Sequence, residues 1–235
     1  MSSHQPYSDH IFQDCLVIIP AWNESKSIQG IVRSIKEKYT IDILVVDDGS
    51  TDMSAGLAKE AGAEVVRLAM NMGAWTATQT GFRYALLNNY QMVVTMDADG
   101  QHFAESIPVL IHELMNQQVD VVIGANPERA TKNRQISWAF FRWMTAFDIQ
   151  DFTSGLKAYN HNAMELLLHR KAHLFDYQDL GTLLLIRRYG LSICEVPVPM
   201  QKRLHGHSRI FSNWWQVIRY MVLSTVLCVS KYRHY

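Results

Sequence analysis

The chain has 235 residues, enough for one large α/β domain with an appendage, and its 48% hydrophobic and 19% charged content is that of a globular protein. The 22 Lys and Arg residues balance the 22 Asp and Glu residues, so no overall positive field favours nucleic acid as a partner. Cys15, Cys194 and Cys228 lack metal-ligand spacing, and we expect them to be buried thiols of a cytoplasmic protein.

Three regions differ in character along the chain. Residues 1–13 are polar and lack the apolar core of a signal peptide, so we expect a loosely held arm. Residues 14–210 carry the alternating patterns of a single α/β domain. Residues 211–235 are rich in tryptophan and apolar residues and are expected to form a separate C-terminal element.

Alternating apolar runs and amphipathic segments predict alternating strands and helices. An apolar run closed by Pro20 is typical of a buried parallel strand. Ser25 is a candidate cap for the following helix, in which apolar residues recur at the spacing of one buried face: Ile28, Ile31, Val32 and Ile35. Further strands are predicted over residues 41–46, 64–68, 92–96 and 119–124, and further helices over residues 53–61, 71–87 and 107–115. This order predicts a Rossmann-like, mostly parallel sheet with helices on both faces.

Polar side chains follow three of these strands at their carboxyl ends. They are Asn23, Glu24, Asp47, Asp48, Asp97 and Asp99. Sheets of this kind bind ligands at the carboxyl edge, and scattered surface acids need not cluster there. The pattern therefore favours a binding site over chance.

Asp97 and Asp99 are the centre of this pattern. Strand alternation would direct both carboxylates to one side, where they could hold Mg²⁺ or Mn²⁺ with a phosphate completing the ligands. Taken alone, an Asp-x-Asp-Gly sequence fits a hairpin turn equally well, and the other acidic strand ends favour the metal. The chain has neither a G-x-G-x-x-G segment nor a P-loop, so metal and side chains must neutralise any phosphates.

Residues 17–24 (VIIPAWNE), 45–52 (VVDDGSTD) and 97–102 (DADGQH) resemble, in order, the signature of family 2 glycosyltransferases. Within that family they are similar to the type that makes dolichyl- or polyprenyl-phosphate mannose. The resemblance covers about residues 16–209. It implies a GT-A fold, a nucleotide-diphosphate sugar donor, Mg²⁺ or Mn²⁺, inversion at the anomeric carbon and a polyprenyl-phosphate acceptor.

The resemblance also implies roles for single residues. Those at the nucleotide would be Pro20, Ala21, Asn23, Glu24, Asp47, Asp48, Asp97 and Ala98, with Asp48 on the base or ribose. Those at the metal would be Asp97, Asp99 and Gln101, with Asp99 the most direct ligand and a catalytic residue. Those at the acceptor would be Ser154, Lys157, Arg203 and Arg209, although the basic ones alone would fit a solvated surface.

Asp179 is assigned differently by the two acceptor classes. A phosphate monoester is ionised near neutral pH, because its second pKa is about 6, and needs no general base. A sugar hydroxyl of a cell-envelope polysaccharide would need one, and Asp179 is then the candidate catalytic base. A helix N-cap before residues 180–187 is an equally good interpretation of Asp179.

One segment departs from the family pattern. The pattern usually continues Lys-Gly after Asn71-x-Gly73, whereas this chain has Ala74 and Trp75. A cation near the donor is replaced and a bulky ring is added. A homologue that binds nucleotide sugars without catalysis therefore stays open.

Residues 211–235 combine Trp214 and Trp215 with a long apolar face and basic flanks, which is typical of a helix lying in a membrane interface. Arg219 and the short apolar stretch after it argue against a membrane span. The alternative is a helix packed on the sheet or on a second subunit, which leaves a homo-oligomer open. We expect a peripheral protein on the cytoplasmic face of the cell membrane.

Overall fold

The computed structural model describes residues 9–129, 132–145, 149–169, 178–201 and residue 222. The predicted N-terminal arm falls mainly outside these residues, as does nearly all of the predicted tail element. Arg203 and Arg209 also lie outside them. The proposed boundaries of the three regions therefore remain predictions.

Strands and helices alternate through most of the described chain, and only α6 and α7 follow one another without a described strand between them. The strands are β1 (Cys15–Ala21), β2 (Asp42–Asp47), β3 (Glu64–Arg67), β4 (Met92–Thr95), β5 (Val121–Ala125), β6 (Lys157–Asn160) and β7 (Ile193–Pro197). The helices are α1 (Ile28–Lys36), α2 (Ser54–Glu60), α3 (Ala74–Leu87), α4 (Ser106–Asn116), α5 (Lys132–Thr145), α6 (His161–Leu168) and α7 (Gln178–Arg188). Two 3-10 turns cover Asp9–Phe12 and Pro127–Arg129.

All seven strands form one sheet, in the order β3-β2-β1-β4-β6-β5-β7. Every pair is parallel except the two that involve β6, which runs antiparallel to both β4 and β5. The predicted mostly parallel sheet is confirmed. The strand β6 was not predicted, because it is short and begins with Lys157, which the family resemblance placed in an acceptor loop.

Two hydrophobic cores cover opposite faces of the sheet, which confirms helices on both sides. Successive residues of β1 alternate between them, with Val17 and Ile19 in the core that holds α1 and α4 and Ile18 in the core that holds α3 and α6. The four apolar residues predicted to form the buried face of α1 are all buried there. A central strand buried on both faces explains the continuous apolar run in its sequence.

The start of α1 differs from the prediction. The helix begins at Ile28 and its N-cap is Ser27, so Ser25 does not cap it. The Ser27 hydroxyl donates instead to the carbonyl oxygen of Ala98 at 2.6 Å, which ties α1 to the segment after β4. That segment also corrects a prediction: β4 ends at Thr95, so strand alternation does not extend to the two acidic residues that follow.

The cysteines in the described residues are free thiols, and Cys15 is buried as expected, whereas Cys194 is only partly buried. Cys15 is buried in β1, and burial raises the pKa of its thiol far above the ordinary value. Burial and the nearby acidic side chains raise the pKa of Cys194 to about 11. Across the described part of the chain, no helix has both the length and the apolar character needed to cross a bilayer.

Replacing Gly49 tests how closely the loops at the carboxyl edge pack. Its φ is +70°, and a Cβ atom there would lie 2.5 Å from the backbone carbon of Met70. Gly49→Ala should lower the free energy of unfolding by at least the cost of a left-handed residue, about 1–2 kcal/mol. Gly30, in α1, has nothing within 4 Å of a new Cβ, so Gly30→Ala should be stabilising by about 0.5–1 kcal/mol. Urea denaturation would measure both, and a Gly49→Ala variant as stable as the wild type would contradict the packing.

Candidate active site

The loops after β1 and β2 are joined by a short series of hydrogen bonds. The backbone N–H groups of residues 23–25 donate to side-chain oxygens of Ser50, Ser54 and Asp52, over 2.9, 2.8 and 3.1 Å respectively. The amide oxygen of Asn23 in turn accepts from the N–H of Thr51. These bonds hold the two polar strand ends side by side, as the sequence pattern predicted.

Asp52 stabilises this loop pair as an ionised carboxylate. Burial raises its pKa, but hydrogen bonds from Ser54 and Ser25 outweigh that effect and leave the pKa below its ordinary value. The contribution of Asp52 to stability is therefore present above the pKa of the unfolded chain and is lost as the pH falls through the lower folded pKa.

Asp47 and Asp48 are both buried, and the carboxylate of each contacts other groups of the same chain. Asp47 lies 3.1 Å from the guanidinium of Arg67. The carboxylate of Asp48 accepts hydrogen bonds from the N–H groups of Met72 at 2.7 Å and Gly73 at 2.8 Å, which fixes the entry to α3. A carboxylate oxygen can accept more than one bond, so the nucleotide roles of both residues stay predictions.

The two acidic residues after β4 occupy different environments. The side chain of Asp97 is 49% exposed and faces a cleft, whereas Asp99 is 5% exposed. One oxygen of Asp99 accepts from the N–H of Gln101 at 3.0 Å, which closes the turn. Asp99 is predicted to be the more direct metal ligand, and this stays a prediction; of the two carboxylates, Asp97 is the one in the lining of the cleft.

Two neighbours confine the Asp97 carboxylate. A Cβ atom on Gly155 would clash with its Oδ2 atom, so a larger residue at that position would have to displace the carboxylate. The Nε2 atom of His102 lies 3.6 Å from the same oxygen. His102 lies in the predicted motif without an assigned role, because its burial beside Asp97 is not visible in the sequence.

The metal-motif loop is also attached to the chain after β7. The side chain of Gln201 donates to the carbonyl oxygen of Gly100 at 2.7 Å, and its N–H donates to that of Gln101 at 2.9 Å. His102 forms an antiparallel bridge with Met200. Residues 100–102 are therefore held by a segment about a hundred positions later.

A cleft opens at the carboxyl end of β4. Its lining includes Pro20, Trp75, Asp97, Lys157, Tyr159 and Thr182. The rings of Trp75 and Tyr159 both pack edge-on against Phe82, at 6.2 and 5.1 Å between centroids. The Trp75 ring that departs from the family pattern is thus part of the wall of this cleft.

The predicted acceptor residues are placed unequally. Lys157 is buried and lines the cleft together with Asp97. Ser154 is fully buried, and its hydroxyl donates to the carbonyl oxygen of Gly124 at 2.6 Å, so it anchors the loop to β5. Its contact with an acceptor remains a prediction.

Asp179 lies in the first turn of α7, one turn before Thr182 of the cleft lining. The helix begins at Gln178, one residue before Asp179. The N-cap interpretation of Asp179 is therefore wrong. The role of Asp179 as a base stays a prediction.

A divalent ion fits the residues at this cleft. The half-exposed carboxylate of Asp97 and the partly exposed side chain of Gln101 offer oxygen ligands, and Asp99 lies in the same turn. Within the described ranges, no group of three or more His, Cys, Asp or Glu side chains forms a metal site. Mg²⁺ in proteins is commonly held by one or two carboxylates together with substrate phosphates.

This fold, with acidic residues after three parallel strands and one of them, Asp97, in a cleft, is that of a glycosyltransferase of the GT-A type. The chain belongs to glycosyl transferase family 2, whose family model matches residues 16–174. It is 30% identical over 219 residues to a polyprenol monophosphomannose synthase of Mycolicibacterium smegmatis, covering 84% of this chain and 81% of that protein. It is 29% identical over 215 residues to an undecaprenyl-phosphate mannosyltransferase of Micrococcus luteus, covering 83% and 86% respectively.

The fold is also similar to a solved structure. The crystal structure of glucosyl-3-phosphoglycerate synthase from Mycobacterium tuberculosis, in complex with Mn²⁺, UDP-glucose and phosphoglyceric acid, superposes with a TM-score of 0.72. The match covers 97% of this chain and 86% of that chain at 19% identity. At this identity the likeness shows the fold alone.

Gly155→Ala should disable the site more than it destabilises the fold. The new Cβ atom would displace the Asp97 carboxylate, and a misplacement of about 1 Å can cost about 100-fold in rate. We expect kcat/KM for sugar transfer to fall by about that factor. Gly56→Ala is the matched control, because its Cβ would meet only the flexible end of Met53 at 3.3 Å. Wild-type activity in Gly155→Ala would show that the position of Asp97 is unimportant.

Proposed function

We propose that this chain transfers a sugar from a nucleoside-diphosphate sugar to a polyprenyl phosphate, with inversion at the anomeric carbon and with Mg²⁺ or Mn²⁺ as cofactor. The observation that carries the proposal is the cleft in which Asp97 and the buried Lys157 lie together. A carboxylate that can hold a metal and a cation that can attract a phosphate suit a reaction between two phosphate-bearing substrates. The names of the two relatives, which specify polyprenol or undecaprenyl phosphate, support the acceptor class.

In the proposed reaction, the chain brings a donor and an acceptor to opposite sides of one anomeric carbon. Asp97, Asp99 and Gln101 would hold the metal, which when bound neutralises charge on the leaving nucleoside diphosphate. Lys157 attracts the acceptor phosphate, and its burial strengthens that attraction because water screens it less. One oxygen of the acceptor forms the new bond to the anomeric carbon as the bond to the diphosphate breaks on the opposite face.

This acceptor removes the need for a general base. The phosphate oxygen is already ionised near neutral pH, so no side chain has to take a proton. The second candidate function is transfer to a carbohydrate hydroxyl with Asp179 as the base. It is favoured by the position of Asp179 one turn before Thr182, which lines the cleft.

Ligand binding and turnover test the proposal. A thermal-shift panel of UDP-, GDP- and dTDP-sugars with and without Mn²⁺ should give one donor that raises the melting temperature only when Mn²⁺ is present, because a ligand of the native state stabilises it. The enzyme should then transfer the sugar of that donor to undecaprenyl phosphate. Binding without turnover on phosphate or carbohydrate acceptors would instead indicate a catalytically inactive homologue, and binding independent of Mn²⁺ would contradict the metal.

Lys157 and Asp179 separate the two acceptor classes. Lys157→Met should lower kcat/KM for undecaprenyl phosphate at least about tenfold, because the acceptor phosphate loses its positively charged partner in a site poorly screened by water. The affinity for the donor should not change. Asp179→Asn should keep full activity, whereas loss of a general base costs about 100- to 10,000-fold. Lys59→Met, at an exposed position in α2, is the matched control. A large loss in Asp179→Asn with Lys157→Met unaffected would favour the hydroxyl acceptor.

We also propose that the protein associates with the cytoplasmic face of the membrane that carries its acceptor. An apolar stripe on α5 supports this, with Ile136 54% and Trp143 81% exposed and Phe140 in ring contact with Trp143 at 6.1 Å. Apolar and aromatic residues on one helix face are typical of a helix at the lipid interface. The predicted tail element over residues 211–235 would contribute independently.

Flotation with lipid vesicles measures this association. The double variant Ile136→Ser, Trp143→Ser should float less than the wild type, because less apolar area enters the interface. Leu87→Ser is the control, since Leu87 is 77% exposed but lies at the end of α3. Equal flotation of the double variant and the control would remove α5 from the proposal, and a chain ending at Ser212 tests the tail in the same way.

A further inference from the structure

The imidazole of His102 is buried beside the cleft without a hydrogen-bond partner. Its side chain is 0% exposed, and within the described residues neither Nδ1 nor Nε2 makes a hydrogen bond. The Nε2 atom lies 3.6 Å from Asp97 Oδ2, which is too long for a hydrogen bond. A buried polar group left unpaired costs free energy, so a residue of this kind calls for an explanation.

The backbone around His102 holds the ring in this place. His102 bridges to Met200, and the two residues before it accept hydrogen bonds from Gln201. The backbone at His102 is thus fixed, and the ring itself is enclosed by the surrounding residues, since its side chain is 0% exposed. A packing role alone would be met by an apolar side chain of similar size, which has no nitrogen atoms to satisfy.

Asp97 lies between this ring and the cleft. About half of its side chain is exposed, and its carboxylate also lies against Gly155. The buried imidazole and the carboxylate are thus neighbours, 3.6 Å apart. A hydrogen bond between them would fix the carboxylate in one orientation.

We infer that His102 is a positioning residue for Asp97: its Nε2–H donates to the Asp97 carboxylate when a divalent cation and a nucleoside diphosphate occupy the cleft. Carboxylates that bind metal ions are commonly oriented by a second hydrogen-bonding group of this kind. The inference rests on the metal dependence proposed above. His102 would act only through Asp97 and would contact neither the metal nor the substrate.

Mn²⁺ binding by the full chain tests this role without relying on turnover. Free Mn²⁺ would be followed by electron paramagnetic resonance, with Mn²⁺ alone and with UDP or GDP added. His102→Leu should weaken Mn²⁺ binding about 10- to 100-fold. His102→Gln, which can place an amide N–H near the Nε2 position, should stay within about threefold of the wild type because it keeps the donor.

Stability and a second histidine provide the controls. His102→Leu should melt no lower than the wild type, since it removes unpaired nitrogen atoms. A loss of Mn²⁺ affinity without a loss of stability would then show that the effect is not general unfolding. His112→Leu, at an exposed position in α4, should bind Mn²⁺ normally. Should His102→Leu fail to fold, His102→Asn replaces it, because its shorter amide cannot reach Asp97 and should bind Mn²⁺ as weakly.

Two outcomes would overturn the inference, and they differ. Wild-type affinity in His102→Leu or His102→Asn would remove the positioning role and leave the proposed function intact. Absence of Mn²⁺ binding by the wild type, with and without either nucleotide, would overturn the proposed metal dependence and this role with it.

Discussion

Parallel pairing of β1 with both β2 and β4 is the constraint on which the site depends. The register sets Ala21 beside Asp47 and Ile18 beside Thr95, so three strands end at the same edge. The loops that leave this edge are then joined by hydrogen bonds, and the Ala98 carbonyl is held by Ser27 of α1. A shift in one pairing would move its polar strand end away from the others, because each strand carries its own part of the site.

Burying several carboxylates at one edge is costly, and the fold meets the cost with specific partners. Asp47 lies beside the Arg67 guanidinium, Asp48 accepts from two backbone N–H groups, and Asp99 accepts from the N–H of Gln101. These contacts offset part of the loss of water. Asp97 alone of these four is half exposed, so the same acidic cluster supplies both structure and a side chain directed to the cleft.

Local patterns in the sequence were enough to predict the sheet and the edge that carries the site. The apolar run of β1 and the spacing in α1 report burial directly, and each acidic motif follows its own strand. Features that depend on distant contacts were not predictable. The short strand β6 is defined by its pairing with β4 and β5. The Ser154 hydroxyl is hydrogen-bonded to the carbonyl oxygen of Gly124, and His102 is buried by packing that only the folded chain provides.

The attachment of residues 100–102 to Met200 and Gln201 has a consequence for the order of folding. The central strands can pair early, since β1, β2 and β4 lie within the first hundred residues. The loop after β4 gains its last backbone contacts only when the chain beyond β7 has been made and has returned across the sheet. Such distant contacts form slowly because a long loop must first close. During synthesis the protein would thus carry its acidic motifs well before it has a finished catalytic pocket.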